Sequence, residues 1–186
     1  MNEKDFEGFM NGFIAELGDD PSRPGLERTP ARVWESMHYL TRGYREDLNE
    51  LMAGATFADP SRDLVMVRDI AFNSICEHHV LPFFGTVTVG YIPNGSLIGL
   101  SKIARVVDHF ACRLQVQERM TAQIADTLVD VLNPRALAVT VTAKHLCMAV
   151  RGVSKQDSNA VTFAWRGQWS DDEAGRGEFL AGIGLR

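Results

Sequence analysis

Two short stretches of the chain bring thiol and imidazole side chains close together in sequence. The stretch SICEHHVLPFFG, residues 74–85, holds Cys76 and His79 three residues apart, and HLCMAV, residues 145–150, begins with His145 and Cys147. Because alternate residues of a strand point to the same face, we expect the imidazole of His145 and the sulfur of Cys147 to converge. Thiolate and imidazole ligands together favour Zn²⁺, a borderline-soft ion without redox chemistry. The pattern therefore predicts a zinc site.

The spacing leaves the kind of zinc site open. A closed structural site would use Cys76, Cys147, His145 and either His78 or His79. A catalytic site would use three protein ligands and keep the fourth position for water. A third interpretation is a buried packing role for Cys147 with the histidines on the surface. The zinc deaminase signature, H-x-E followed by P-C-x-x-C, does not match.

Cations follow at a predicted helix start. Ser101 stands where a helix N-cap is expected, and Lys102 and Arg105 lie three residues apart on one helix face. Arg151 adds a third cation just after the His-x-Cys stretch. A helix N-terminus flanked by cations favours an anion such as a phosphate, and the competing interpretation is a solvated charged face.

An amide and a carboxylate, Gln117 and Glu118, stand side by side in QVQER. A carboxylate that accepts two N–H donors can select the guanine edge over adenine, because the wrong base leaves the charge unpaired. An exposed helix position is the alternative interpretation of Glu118.

The composition narrows the class of protein. The chain has 186 residues, a net charge of −5 and 45% hydrophobic residues, which is typical of a globular domain and argues against a surface that binds nucleic acid as a whole. No secretory signal and no membrane span are predicted. An odd number of widely spaced cysteines, three in all, indicates reduced thiols and a cytoplasmic location.

Hydrophobic periodicity predicts the elements that position these groups. Helices are expected at 4–17 and about 30–42, strands at 64–72 and 85–93, two helices or one bent helix over 102–133, strands at 136–150 and 159–169, and a short helix at 171–181. Cys112, in the helical pattern, has no partner at metal spacing, so we interpret it as a packing residue. This order predicts an α+β domain with an antiparallel sheet.

Together, several segments resemble GTP cyclohydrolase I, and the resemblance extends from about residue 14 to the C-terminus. The segments are LGDDPSRPGLERTPARV, SICEHHVLPFFGTVTVGYIPNG, IGLSKIAR, RLQVQER and HLCMAVRGV. The resemblance implies that the protein opens the imidazole ring of GTP by hydrolysis, releases formate and forms 7,8-dihydroneopterin triphosphate.

The resemblance also implies a role for each candidate residue. Zn²⁺ would be held by three ligands, with water in the fourth position, while two histidines would act as an acid/base pair. By position in the family's motifs, the ligands are Cys76, His79 and Cys147; the acid/base pair is His145 and His78; the triphosphate contacts are Lys102, Arg105 and Arg151; the guanine contacts are Glu118 with Gln117 beside it; and Ser101 contacts the opened sugar.

The implied fold is the tunnelling fold, in which a four-stranded antiparallel sheet is backed by helices. Residues 1–60 would form an N-terminal helical segment and residues 61–186 the catalytic domain. Subunits of such a family join their sheets into a homodecamer with active sites at subunit boundaries, which would also cover open sheet edges.

Two departures from the family pattern keep other functions open. Thr142 occupies a position, three before His145, that is commonly acidic, and the strand NAVTFAWRG at 159–167 differs from the usual Thr/Ser-rich strand. A non-catalytic relative that binds a purine nucleotide, or an enzyme that acts on another purine or pterin, are therefore alternatives.

Overall fold

A computed structural model describes residues 1–184, and the chain divides into two compact units, Met1–Arg42 and the residues from Gly43 onward. The first unit holds helices α1 (Glu3–Glu16) and α2 (Thr29–Leu40). The side chains of Asn2 and Asp5 cap α1 reciprocally, and the rings of Phe6 and Trp34 pack with centroids 5.3 Å apart. Both predicted N-terminal helices are confirmed, while the functional boundary at residue 60 stays a prediction.

The second unit combines short and long helices with strands, as expected for an α+β domain. In chain order these elements are α3 (Leu48–Met52), β1 (Thr56–Ala58), β2 (Val65–Cys76), β3 (Leu81–Ile92), β4 (Ser96–Ile98), α4 (Leu100–Ala111), β5 (Leu114–Gln115), α5 (Gln117–Leu132), β6 (Ala136–His145), α6 (Leu146–Ala149), β7 (Ala160–Gly167) and α7 (Glu173–Gly182). Among residues 1–184, no helix has both the length and the apolar character needed to cross a membrane.

The main sheet has five strands rather than the predicted four, in the order β5-β2-β3-β6-β7. Strands β2, β3, β6 and β7 pair antiparallel, whereas β5 pairs in parallel with the end of β2. The sheet is therefore mixed. Sequence periodicity missed β5 because two residues are too few to show alternation. Strands β1 and β4 form a separate antiparallel pair.

Helices α4 and α5 pack on this sheet through the apolar stripes that the sequence shows. The buried core joins side chains of both helices to the strands, namely Ile103, Val106, Val107, Phe110, Met120, Ile124, Leu128, Val87, Val89, Val139 and Val141. The helical pattern over 102–133 thus forms two helices, with β5 between them. Cys112, at the end of α4, is buried, in agreement with a packing role.

Strand β6 ends earlier than predicted. The pattern at 136–150 predicted a strand that continues through Cys147, but β6 ends at His145 and α6 begins at Leu146. The residues from Leu146 to Val150 are continuously apolar, and such a run fits a helix or a strand equally well. The backbone N–H of Val150 donates to the carbonyl of Leu146 at 3.0 Å, which closes one helical turn.

Candidate active site

Two thiols and one imidazole converge at the end of β2. The ligand atoms of Cys76, His79 and Cys147 all lie within 4.8 Å of one another, and Cys76 Sγ is 3.8 Å from His79 Nδ1. Cys76 and Cys147 are free thiols. This cluster can hold a metal ion that accepts sulfur and nitrogen ligands.

A tight turn brings Cys76 and His79 together. Cys76 is the last residue of β2 and pairs with Leu81, the first residue of β3. The backbone N–H of Val80 donates to the carbonyl of Cys76 at 2.9 Å, and Val80 has a φ of 53°. A β-branched residue rarely adopts this left-handed conformation, so the surrounding strands must impose it.

Cys147 reaches the cluster from a helix, not from a strand. It is the second residue of α6, so the prediction that it shares a strand face with His145 is wrong. The helical turn separates the two side chains. The thiol of Cys147 lies beside Cys76, whereas the imidazole of His145 lies against Gln117. Burial raises the pKa of the Cys147 thiol, and the neighbouring Cys76 sulfur raises it further, whereas Arg151 opposes these effects.

His145 is held by contacts with Phe83 and Gln117. It is the last residue of β6 and pairs in register with Phe83, whose ring stacks on the imidazole with centroids 4.6 Å apart and planes 4° apart. The Nε2 atom of His145 lies 2.7 Å from Gln117 Oε1. Burial lowers the pKa of His145, and the charge of Glu118 offsets part of that shift. The neutral imidazole is therefore favoured.

The predicted guanine contacts differ in exposure. Gln117 is buried, and its side-chain amide faces His145 and the backbone of β6 and β7. Glu118, the next residue of α5, is exposed. Gln117 therefore already has a full set of protein partners, whereas the carboxylate of Glu118 is open to solvent near His145.

The turn also contains an ion pair that sequence reasoning missed. Arg119 donates to both carboxylate oxygens of Glu77, at 2.6 Å and 3.0 Å, and this bond lowers the pKa of Glu77. His78, exposed beside it, has Nε2 3.9 Å from Glu77 Oε1. The pair connects the metal-ligand turn to the first turn of α5. Nothing in the sequence signals a contact across 42 residues.

The predicted anion-binding groups lie mainly on α4 and beyond α6. The N-cap of α4 is Gly99, so the expectation of a Ser101 cap is wrong. Ser101 and Arg105 are exposed on this helix. Lys102 Nζ donates to the carbonyls of Leu51 at 2.6 Å and Ala53 at 3.0 Å, so the ammonium stabilises the end of α3.

The chain is similar to proteins of one enzyme family. The family model of GTP cyclohydrolase I matches residues 6–184. A GTP cyclohydrolase 1 from Chlorobium phaeovibrioides is 52% identical, over 88% of this chain and 74% of the relative. That of Gloeobacter violaceus is also 52% identical, over 90% of this chain and 78% of the relative. That of Leptospira biflexa is 48% identical, over 94% of this chain and 95% of the relative.

Proposed function

This chain belongs to the GTP cyclohydrolase I family, and we propose that it opens the imidazole ring of GTP by hydrolysis, releases C8 as formate and forms 7,8-dihydroneopterin triphosphate. The observation that carries the proposal is the joint presence of a Cys-His-Cys group that can hold a metal ion and of a fixed, partly buried imidazole on an adjoining element. A protein that only bound a nucleotide would need neither group.

We infer that Cys76, His79 and Cys147 hold Zn²⁺. Tetrahedral zinc with Zn–S near 2.3 Å and Zn–N near 2.0–2.1 Å separates sulfur from nitrogen by about 3.6 Å. The observed distance from Cys76 Sγ to His79 Nδ1, 3.8 Å, fits this geometry. When bound, the ion supplies Lewis acidity for the addition of water to C8.

His145 is the proposed proton carrier. Addition of water across the C8–N7 bond gives oxygen to C8 and a proton to N7, and a neutral imidazole can accept the proton from water and deliver it to nitrogen. The lowered pKa of His145, caused mainly by burial, keeps the ring neutral and ready to accept. His78 is the second histidine of the proposed acid/base pair.

The substrate contacts remain proposals. Arg105, Arg151 and Lys102 are proposed to hold the triphosphate, Glu118 the guanine edge, and Ser101 the opened sugar. Lys102 would exchange its hydrogen bonds to the carbonyls of α3 for phosphate oxygens. Such an exchange would couple triphosphate binding to the position of α3.

We further propose the tunnelling fold, a homodecameric assembly with sites at subunit boundaries, and a cytoplasmic location. The sheet order supports assembly, because β7 pairs only with β6 among the described strands and leaves one edge open to a neighbouring copy. Apolar side chains are also partly exposed on the strands, including Phe84, Val161 and Phe163. No binding of nucleic acid or membrane is proposed.

The direct test is incubation of zinc-loaded protein with GTP. We expect formate and, after oxidation, a fluorescent pterin, with both products lost after removal of zinc by a chelator and restored by its return. ATP and GDP are tested as substrates in the same assay. No formate from zinc-loaded protein and GTP would overturn the proposal, and turnover of ATP without turnover of GTP would identify a divergent purine enzyme instead.

A further inference from the structure

We propose that Gln117 is the positioning residue of His145: its amide oxygen accepts the hydrogen of Nε2, which fixes the orientation of the imidazole and leaves the lone pair of the ring on Nδ1. The catalytic part of this inference rests on the proposed function of His145. The tautomer itself, however, is a property of the folded protein and can be measured without catalysis.

The orientation of the Gln117 amide follows from its partners. Gln117 Nε2 lies 3.0 Å from the carbonyl oxygen of Val141 and 3.1 Å from that of Ala160. Carbonyl oxygens only accept hydrogen bonds, so the donor end of the amide must face them. A flipped amide would place its oxygen against both carbonyls. The acceptor, Oε1, therefore faces His145.

The tautomer of His145 follows from that orientation. Oε1 of Gln117 lies 2.7 Å from His145 Nε2 and can only accept, so Nε2 must carry the hydrogen. A neutral imidazole has one N–H, which leaves Nδ1 with a lone pair. The ring plane is fixed independently by the parallel stack on Phe83. The two contacts together determine both the tautomer and the direction of the Nδ1 lone pair.

Two threonines hold Gln117 in place. Thr121 Oγ1 donates to the carbonyl of Gln117 at 2.7 Å, so its oxygen is left to accept from the hydroxyl of Thr162, also at 2.7 Å. Thr162 Oγ1 can in turn accept from Gln117 Nε2 at 3.2 Å. Gln117 and Thr121 are 2% and 1% exposed, so water does not compete with these bonds. A satisfied buried network of this kind specifies one arrangement.

The sequence predicts a different role for Gln117, which is to lie beside Glu118 at the guanine edge of the substrate. Residues 117 and 118 are adjacent on α5, and one is buried while the other is exposed. The two residues therefore have different roles. The exposed carboxylate of Glu118 is available to substrate, whereas the buried amide of Gln117 is hydrogen-bonded to His145.

The test is to measure the His145 tautomer by magic-angle-spinning NMR of zinc-loaded protein labelled with ¹⁵N-histidine. The chain has five histidines, so a difference spectrum against His145→Asn identifies the ring. We expect a single neutral form with Nε2 protonated and Nδ1 unprotonated in the wild type. A ring protonated on Nδ1, or an even mixture of tautomers, would overturn the inference without any further variant.

Gln117→Met tests the cause, because it removes the acceptor while roughly conserving volume. We expect both tautomers in the spectrum, unchanged zinc content and a fall in kcat of about 10- to 100-fold with little change in KM for GTP. The matched control is Gln115→Met, which removes another buried amide that bonds to Phe110 and Gln123 instead. A positioning role would be contradicted if Gln117→Met left both the tautomer and kcat unchanged. It would also be contradicted if kcat fell equally in Gln117→Met and Gln115→Met.

The two proposals fail in different ways. If the wild-type ring is protonated on Nε2 but zinc-loaded protein releases no formate from GTP, the proposed function is wrong and the assignment of the tautomer stands. If formate is released but the ring is protonated on Nδ1, the function stands and the role of Gln117 is wrong.

Discussion

Among the single residues of the site, Cys147 is a thiol whose protonation should depend on whether a metal ion is bound. Burial and the nearby Cys76 sulfur raise its pKa, so the metal-free protein favours the protonated thiol. A bound dication reverses this preference, because the thiolate is the form that coordinates. Metal binding must therefore release protons, and the affinity for metal should rise with pH.

Cys147→Ala removes one sulfur ligand and tests the cluster. We expect zinc content to fall below stoichiometric and formate release from GTP to fall by at least about 100-fold, since two protein ligands rarely retain zinc. Cys112→Ala is the matched control, because that buried cysteine lies at the end of α4 and outside the cluster. Metal analysis and an activity assay suffice. Full zinc occupancy in Cys147→Ala would contradict the ligand assignment.

Residue types could be identified from the sequence, but their contacts could not. Two soft ligands three residues apart, followed by a His-x-Cys stretch, were sufficient to indicate zinc. The bonds from Gln117 to His145 and from Arg119 to Glu77 cross 28 and 42 residues. Such contacts depend on how α5 packs beside the end of β2 and the end of β6, which local pattern does not encode.

At the scale of elements, the pairing of β3 with β6 positions the site. Gly85 pairs with Ala143, two residues from the pair between Phe83 and His145. A Cβ on Gly85 would lie 1.9 Å from the carbonyl oxygen of Thr142 and 2.8 Å from the Cα of Ala143. Because both are backbone atoms, they cannot yield by a change of rotamer. The two strands need a glycine here to approach closely.

Gly85→Ala should force β3 and β6 apart. We expect a loss of about 1–3 kcal/mol in the free energy of unfolding, the usual cost of overpacking, with weaker zinc binding because the strand ends carry the site. Gly177→Ala, on α7 with open space around it, is the control and should stabilise by about 0.5–1 kcal/mol. Urea unfolding of both variants measures these effects. Equal stability of Gly85→Ala and wild type would refute the close approach.

A buried histidine on α4 should make stability depend on pH. The side chain of His109 is 3% exposed and has Glu46 and Arg113 beside it. Burial lowers the pKa of His109 from its ordinary value of 6.5, the charge of Arg113 lowers it further, and Glu46 opposes both. The unfolded chain therefore binds this proton more readily, so the contribution of His109 to the free energy of unfolding is fully present above pH 6.5 and is lost as pH drops toward the lowered pKa.

Urea unfolding of wild type and His109→Gln between about pH 5 and about pH 7.5 measures this dependence. We expect the wild type to lose stability over the lower part of the range and the variant to lose less, since it has one titrating group fewer. The slope of stability against pH is the quantity compared, so a constant loss from the substitution itself does not matter. A slope in His109→Gln equal to that of wild type would contradict the prediction.

The elements themselves were predictable where the pattern was long. Helices α4 and α5 carry clear apolar stripes, and both were expected at nearly their observed places. Strands β2 and β3 were also expected, but at 64–72 and 85–93; β2 continues four residues further, to Cys76, and β3 begins four residues earlier, at Leu81. Strand β5 has two residues, and α6 has four, both too short for periodicity to detect. The error at α6 mattered most, because it placed Cys147 on the wrong kind of element.

At the scale of the whole molecule, the open edge of β7 and the partly exposed Phe84 and Phe163 favour association of copies. Light scattering of zinc-loaded protein should give a mass of about 206 kDa, ten times the 20.6 kDa of one chain. Dilution that dissociates the assembly should abolish formate release if sites are completed at subunit boundaries. A monomer that keeps full activity would contradict this prediction.

The proposed chemistry requires a zinc ion held by two sulfurs and one imidazole of this chain, and X-ray absorption at the zinc edge of the purified protein measures these ligands. We expect one zinc per chain with two sulfur neighbours at about 2.3 Å, one imidazole nitrogen at about 2.0–2.1 Å and a fourth, non-protein neighbour. A zinc ion with a second imidazole in its first shell, or purified reduced protein that binds no zinc, would contradict it.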